Sequence, residues 1–420
     1  MRILVWFRNN LRVRDNRALS KAVAEADEVI PLYVFDSHYE QKLPGGFPKT
    51  GLYRRKFLAE SLISLREELK ARGGDLIYRS GSTVEAISQI HKHKPIDAIY
   101  CEDLPTYEEK QLEKSLASLG IPVKSFWDGS LFDLDDLPFH LVNMPWVFTD
   151  FRKKVEKYCE VRDTIAAPEV INTPENLEPG SIEAGPALQN DIPGKLRGIT
   201  YGGGEDQAWQ RLQQYIWDQD RLKDYKQTRN GMLGESYSSK FSAALAHGCL
   251  NPVQIYHEVK RYEGERVKNS STYWLIFELI WREFFRFTGL AEGNEFFRVK
   301  RGAEIEWTDK HEMWRMGETG RPLIDACMNE LRATGYLGNR GRQLVASYLV
   351  NDMKQHWYPG AQWFESVLVD YDVTSNYGNW SYVAGVGHDP RKDRYFNIEK
   401  QAQRYDPEGR YREAWNEEKV

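Results

Sequence analysis

A chain of 420 residues is long enough for two or three compact units with large cores, and 41% hydrophobic with 28% charged residues is ordinary for a globular protein. The net charge of −5 is shared, with 27 basic against 30 acidic residues in 1–204 and 30 against 32 in 205–420. No tail or domain is globally basic, so any nucleic-acid binding must rest on a local patch. Cys101, Cys159, Cys249 and Cys327 are dispersed without a CxxC pair, which fits free thiols in a reducing compartment and argues against a zinc site or iron–sulfur cluster; no metal is expected. Thirteen Trp and 23 Tyr are unusual, and ten of the Trp follow residue 204. They imply either a large aromatic core or a site that uses rings for stacking or electron transfer.

The N-terminus, MRILVWFRNN, is too short for a signal peptide and reads as a first strand. No apolar run reaches the length of a membrane span, so a cytoplasmic protein is expected, with an organellar form left open. Through residue 135, short apolar runs predict buried parallel strands at Ile3–Trp6, Ile30–Phe35, Leu76–Tyr78 and Ala98–Cys101. Arg54–Ala71, Val84–His91 and Glu108–Leu119 carry helical spacing between them. That alternation predicts a doubly wound α/β domain with a parallel sheet over 1–135, without a GxGxxG fingerprint. Residues 136–204 are expected to connect this domain to the second half of the chain; from Thr164 they shift to Pro, Gly, Asn, Glu and Ser and end in a Gly triplet. Helical periodicity then dominates, and 205–420 is predicted to be an all-helical domain.

Four segments of that second half carry chemistry. In Tyr273–Phe287, Glu278, Trp281, Arg282 and Phe285 fall on one helical face. A carboxylate and a guanidinium among aromatics are costly unless satisfied, either by pairing with each other along the helix or by lining a ligand pocket. Asn339, Arg342 and Gln343 also share a face, beside Gly338 and Gly341, which permit close approach of another backbone or a ligand. Tyr237–Ser242 (YSSKFS) offers hydroxyls and a lysine at the start of an apolar helix, suited to a cap or to an anion such as a diphosphate. Asp370–Asn397 places Asp370 and Asp372 before Asn376 and Trp380, then a basic cluster of Arg391, Lys392 and Arg394. It reads as a polar turn with an anchoring Trp, or as a site presenting an electron-accepting ring to an anionic partner.

YKQTRNGMLG, YSSKFS, STYWLIFELIWREFF, TGYLGNRGRQLVAS, WFESVLVDYDVTSNYGNW and GVGHDPRKDRYFN closely resemble the flavin-binding helical domain of the photolyase/cryptochrome family, DASH cryptochromes in particular. FPKTGLYRRKFLAESL and MPWVFTDFRKKVE resemble the family's N-terminal antenna domain. The resemblance implies FAD in a folded form, held by Tyr225, Ser238, Ser239, Lys240, Phe241, Ser242, Glu278, Arg282, Phe285, Asn339, Arg342, Asp370 and Asp372. It implies an Arg342–Asp370 ion pair over the isoalloxazine, and Asn376 near flavin N5, where an amide serves both redox states by accepting or donating. Trp380, Trp357 and Trp307 match a tryptophan electron route, although such rings are core as well.

The implied reaction is light-driven repair of cyclobutane pyrimidine dimers in DNA, with the lesion flipped from the stack; photolyases are themselves a standing example of base flipping. Glu278 would bond the lesion's edge and Trp281 would stack on it, with Asn339, Gln343 and Tyr382 around it. Tyr382 stands where ordinary dimer photolyases carry a second Trp and Gln343 where they carry Met, which suits single-stranded substrates that are cheap to flip. Arg229, Lys240 and Arg394 are the phosphate candidates. Neither Asn339 nor Gln343 is the His of (6-4) photolyases, so that activity is set aside. A methenyl folate antenna is the family's usual second chromophore. Glu108 and Glu109 match its acidic contact region and equally suit a helix N-terminus. The expected protein is a monomeric repair enzyme acting on single-stranded DNA; the alternatives are a blue-light signalling photoreceptor and a flavoprotein of dark redox chemistry.

Overall fold

The computed structural model describes residues 1–182, 202–299, 305–388 and 394–416. Five parallel strands, β1 (Arg2–Phe7), β2 (Glu28–Asp36), β3 (Ile77–Gly81), β4 (Ala98–Asp103) and β5 (Val123–Trp127), form one sheet in the order β3-β2-β1-β4-β5. Ile3 sits opposite Val29 on one side and Ala98 on the other, so β1 is central. Its six residues are buried from Ile3 onward, as a strand covered on both faces requires. Helices α1 (Arg17–Glu25), α2 (Leu52–Lys70), α3 (Thr83–His93) and α4 (Tyr107–Ser115) alternate with the strands, giving the expected doubly wound α/β architecture. The expected strands and helices lie within these elements to within a residue, except that the expected helix Glu108–Leu119 ends as α4 at Ser115 and continues as a 3-10 turn over Leu116–Leu119, while α1 and β5 are additional. β5 (VKSFW) is an edge strand exposed along its middle, which is why it shows no continuous apolar run.

Within the connecting region the chain forms α5 (Phe148–Tyr158), which buries Phe148, Phe151 and Val155. Beyond it, backbone bonds from Ile171 to Arg72 and from Tyr78 to Pro179 lay the chain along the α/β unit. Gly203 and Gly204 then dock on α2, donating to Glu60 and Ser61. A Cβ on Gly203 would come within 2.2 Å of the Phe57 carbonyl oxygen, so the glycines permit this close backbone approach.

The remainder is helical, as expected: α6 (Glu205–Gln213), α7 (Tyr225–Thr228), α8 (Ser242–His247), α9 (Pro252–Glu265), α10 (Ser270–Glu292), α11 (Asp309–Met316), α12 (Pro322–Thr334), α13 (Asn339–Ser347), α14 (Trp357–Val367), α15 (Val373–Val383), α16 (Ile398–Tyr405) and α17 (Arg410–Asn416). No described helix is long and apolar enough to cross a membrane. The four cysteines are free.

One hydrophobic core runs through both parts, joining Val5, Phe7 and Leu62 to Phe151, Leu212 and Phe284. A polar seam crosses the same junction. Arg12 donates to Asp128 at 2.8 Å and to the Gly248 carbonyl, and Asn251 donates to the other Asp128 oxygen. Arg12 and Asp128 are both buried, so removing one partner strands the other charge. Asp128→Ala should therefore cost roughly 3–5 kcal/mol of unfolding free energy in urea titrations, whereas an exposed pair such as Arg410–Glu408 should cost less than about 1 kcal/mol.

Candidate functional site

α10 begins with a capping box at Asn269 and runs for 23 residues, long enough to face two environments. Glu283, Phe284, Arg286 and Phe287 are buried toward the α/β unit, while Glu278, Trp281, Arg282 and Phe285 line a cavity of about 470 Å³ in the helical part. The same cavity is lined by Tyr225, Arg229, Ser238 to Ser242, Asn339, Arg342, Gln343, Asp370, Asp372, Asn376, Trp380, Tyr382 and Arg394. Every residue assigned to cofactor, lesion or backbone phosphate thus borders one space. Trp357, Trp307, Glu108 and Glu109 lie outside it.

Glu278 and Arg282 do not pair with each other, which corrects the simplest reading of their spacing. Glu278 is bridged by Arg229 at 2.8 Å, and Arg282 donates to the Gly129 carbonyl in the α/β unit. Burial pushes the Glu278 carboxyl up despite Arg229. Trp281 lies flat on Phe148 of α5, with ring centroids 3.6 Å apart and planes at 8°, and meets Tyr382 edge-on at 5.6 Å. Phe148 backs this wall from behind Trp281, a contact that sequence reasoning missed because nothing local links the two.

Arg342 on α13 donates two bonds to Asp370, at 2.9 and 2.7 Å. Asp372 caps α15 by accepting from Ser375 N–H at 2.7 Å. Burial would raise its carboxyl, but Arg282, Arg286 and Ser375 outweigh this and hold it below the usual carboxylate value. The Asn376 amide donates to the Ala361 carbonyl at 2.9 Å, which fixes its orientation. Gly378 lets Phe285 press on α15, since a Cβ there would meet the ring at 2.3 Å. Gly338 and Gly341 likewise make room for the side chains of Tyr237 and Leu337, and not for a backbone or ligand as expected.

Lys240 corrects a second expectation. It is buried, with φ of +61°, its ammonium bonded to the Tyr237 hydroxyl and lying 4.2 Å from the Tyr336 ring centre. It borders the cavity and does not belong to an exposed surface patch. Arg229 and Arg394 are also engaged at the cavity, Arg229 with Glu278 and Arg394 with the face and hydroxyl of Tyr382, 3.9 Å from the ring centre. The three cations therefore belong to the cavity wall and do not form an exposed stripe. Arg391 and Lys392 lie outside the described residues.

The donor set fits FAD. Lys240 and the hydroxyls of Ser238, Ser239 and Ser242 suit a diphosphate, Phe285 and Trp380 give flat apolar walls, and Arg342 and Asn376 supply donors for a polar ring. The side-chain oxygen of Gln343, buried at the cavity, has no hydrogen-bond partner among the described residues.

Trp380 and Trp357 are buried in one cluster and Trp307 is partly buried against it, so exposure increases outward in that order. Trp380 packs on Phe364 at 5.1 Å and on Trp314 at 6.0 Å. Trp314 was not among the expected rings.

A second cavity, of about 510 Å³, opens at the carboxyl ends of β1, β2 and β4, where ligands of doubly wound sheets bind. Glu108 and Glu109 line it with Arg8, Tyr33, Lys49 and Arg54, and Ala246, Tyr371 and Asp372 border both cavities.

An α/β unit joined to a helical half whose cavity carries donors suited to FAD points to a class of flavoprotein, and comparison with known proteins gives the family. Residues 3–171 match the family described as DNA photolyase, and residues 274–419 match the FAD binding domain of DNA photolyase. Cryptochrome DASH of Gloeobacter violaceus is 46% identical, the match covering 98% of this chain and 85% of that protein. The chloroplastic/mitochondrial Cryptochrome DASH of Arabidopsis thaliana is 45% identical over 98% of this chain and 75% of its own length. The crystal structure of the Synechocystis sp. PCC6803 cryptochrome superposes with a TM-score of 0.92 at 44% identity, covering 98% of this chain and 88% of that one. The chain belongs to the photolyase/cryptochrome family and groups with its DASH cryptochromes, and its helical half is an FAD-binding domain.

Two measurements test the site. Asp370→Ala should remove the carboxylate that Arg342 pairs with and weaken flavin binding by about ten-fold or more, read by fluorescence titration of the apoprotein. Burial lowers the Lys240 amine to about 7, so above that pH the unfolded chain holds a proton that the folded apoprotein lacks. Unfolding free energy should then rise from pH about 7 toward 10, a slope that Lys240→Met should flatten in urea titrations.

Proposed function

We propose that the protein is a light-driven DNA repair enzyme that splits cyclobutane pyrimidine dimers, preferentially in single strands, acting as a monomer. The observation that carries this reading is the convergence of Glu278, Trp281, Gln343 and Tyr382 on the space bordered by Arg342, Asp370 and Asn376. When bound, FAD supplies one electron from its photoexcited reduced form and takes it back after the cyclobutane opens.

The protein's own groups do the rest. Lys240 and the serines would hold the diphosphate, Arg342 and Asp370 would border the ring, and Asn376, fixed by its bond to the Ala361 carbonyl, would offer its amide to it. Glu278, its carboxyl raised by burial and paired with Arg229, faces the cavity, where it can hydrogen-bond the edge of a pyrimidine. Trp281, clamped flat on Phe148, gives the extruded bases a rigid stacking wall. Arg394 covers a face of Tyr382, so the opposite wall offers less stacking. A site that gains less from stacking can meet less of the cost of unpairing a duplex, which supports the preference for single strands. The tryptophans from Trp380 through Trp357 to Trp307 would carry electrons inward to keep the flavin reduced. The second cavity, with Glu108 and Glu109, is the proposed folate antenna site.

Reduced protein under blue light should repair dimers in single-stranded oligonucleotides and act poorly on duplexes. Glu278→Ala should slow repair by about ten-fold or more while retaining flavin absorbance. No repair of either substrate would replace this reading with that of a light-sensing cryptochrome.

A further inference from the structure

Tyr377 follows Asn376 on α15 and is 3% exposed. Its hydroxyl donates to Glu365 Oε2 at 2.6 Å. Its ring lies 6.5 Å from that of Trp357, at 75°, and also packs on Phe297 at 5.0 Å and Tyr358 at 5.5 Å. Glu365 stands on α14, the helix that begins with Trp357, and is itself buried, with Lys49 Nζ 3.8 Å from its other oxygen. Tyr377 and Glu365 both line the second cavity. Oxidisable ring, hydrogen-bonded base and balancing ammonium are thus assembled beside one member of the tryptophan route.

A buried phenol yields an electron to an oxidised indole only if its proton leaves as well, because a phenol radical cation is strongly acidic and an uncompensated buried charge is costly. We propose that Tyr377 is the terminal electron donor of the tryptophan route, with Glu365 as the acceptor of its proton. The proposal rests on reading Trp380 and Trp357 as that route. The oxidant is the tryptophan radical cation left at Trp357 when a photoexcited isoalloxazine draws an electron through Trp380. One electron passes from Tyr377 to Trp357 and the phenolic proton passes to the Glu365 carboxylate. The products are a neutral indole, a neutral tyrosyl radical and a carboxylic acid. Burial makes Glu365 more basic than an ordinary carboxylate, while Lys49 favours its ionised form. The step moves the oxidising equivalent from Trp357 to a ring that lines the second cavity. Without it the equivalent leaves through Trp307, whose indole N–H donates to Glu312 at 3.2 Å.

Flash excitation of the oxidised, flavin-loaded protein, followed by time-resolved absorption and electron paramagnetic resonance, tests the step. A tryptophan radical should give way to a tyrosyl radical, with a rate that falls in heavy water. Tyr377→Phe should lose the tyrosyl signal and keep the tryptophan radical; Glu365→Gln, which keeps the ring contact but removes the base, should also lose the tyrosyl signal. Flavin absorbance and thermal melting establish that both variants are folded. A tryptophan radical with no tyrosyl successor, or a tyrosyl signal that survives in Tyr377→Phe, overturns the proposal alone. Absence of any aromatic radical overturns the relay reading and the proposal together.

Discussion

The architecture depends on α10 being buried on two sides at once. Arg286 is buried and Arg282 borders the cavity, and each is met by a backbone carbonyl of the α/β unit, Arg282 by Gly129 and Arg286 by Asp128. A buried guanidinium tolerates little displacement before its desolvation is left uncompensated. The helix is therefore locked in rotation and depth, and with it the outward row of Glu278, Trp281 and Phe285. The cavity-lining face inherits its position from these buried contacts of the same helix.

The cavity is arranged so that its charged groups are answered by the protein itself. Glu278 has Arg229, Asp370 has Arg342, and Arg394 has Tyr382. Lys240 sits among rings, where burial disfavours its charge until an anion arrives. Such a site is stable before binding yet gains from a dianionic ligand. The second cavity shares Tyr371 and Asp372 with the first, so the sheet's carboxyl end and the flavin site are separated by a single layer of side chains.

Much of the fold was legible because strand burial and helix faces are periodic. β1, β2 and β4 are buried on both faces and announce themselves as apolar runs, whereas β5 is an edge strand and α1 is a helix of only nine residues, too short to stand out. The cavity residues were legible for a different reason: extended motifs matched a family, and within each motif helical spacing put the polar residues on one face. Partners across the chain were not legible. Glu278 and Arg282 looked like a pair at i, i+4, and the structure sends them to Arg229 and to a carbonyl 153 residues away.

By itself the sequence determined the two-part organisation, the family and the sets Glu278–Trp281–Arg282–Phe285 and Asn339–Arg342–Gln343, because a helix of known pitch leaves no choice about which residues share a face. Only the tertiary structure decided what each face meets: Phe148 beneath Trp281, Lys240 sealed under aromatic rings, Arg394 over Tyr382, Tyr377 against Glu365. Those contacts join segments whose separation along the chain carries no information about distance in space, and they are set by how the helices pack on the seam with the sheet.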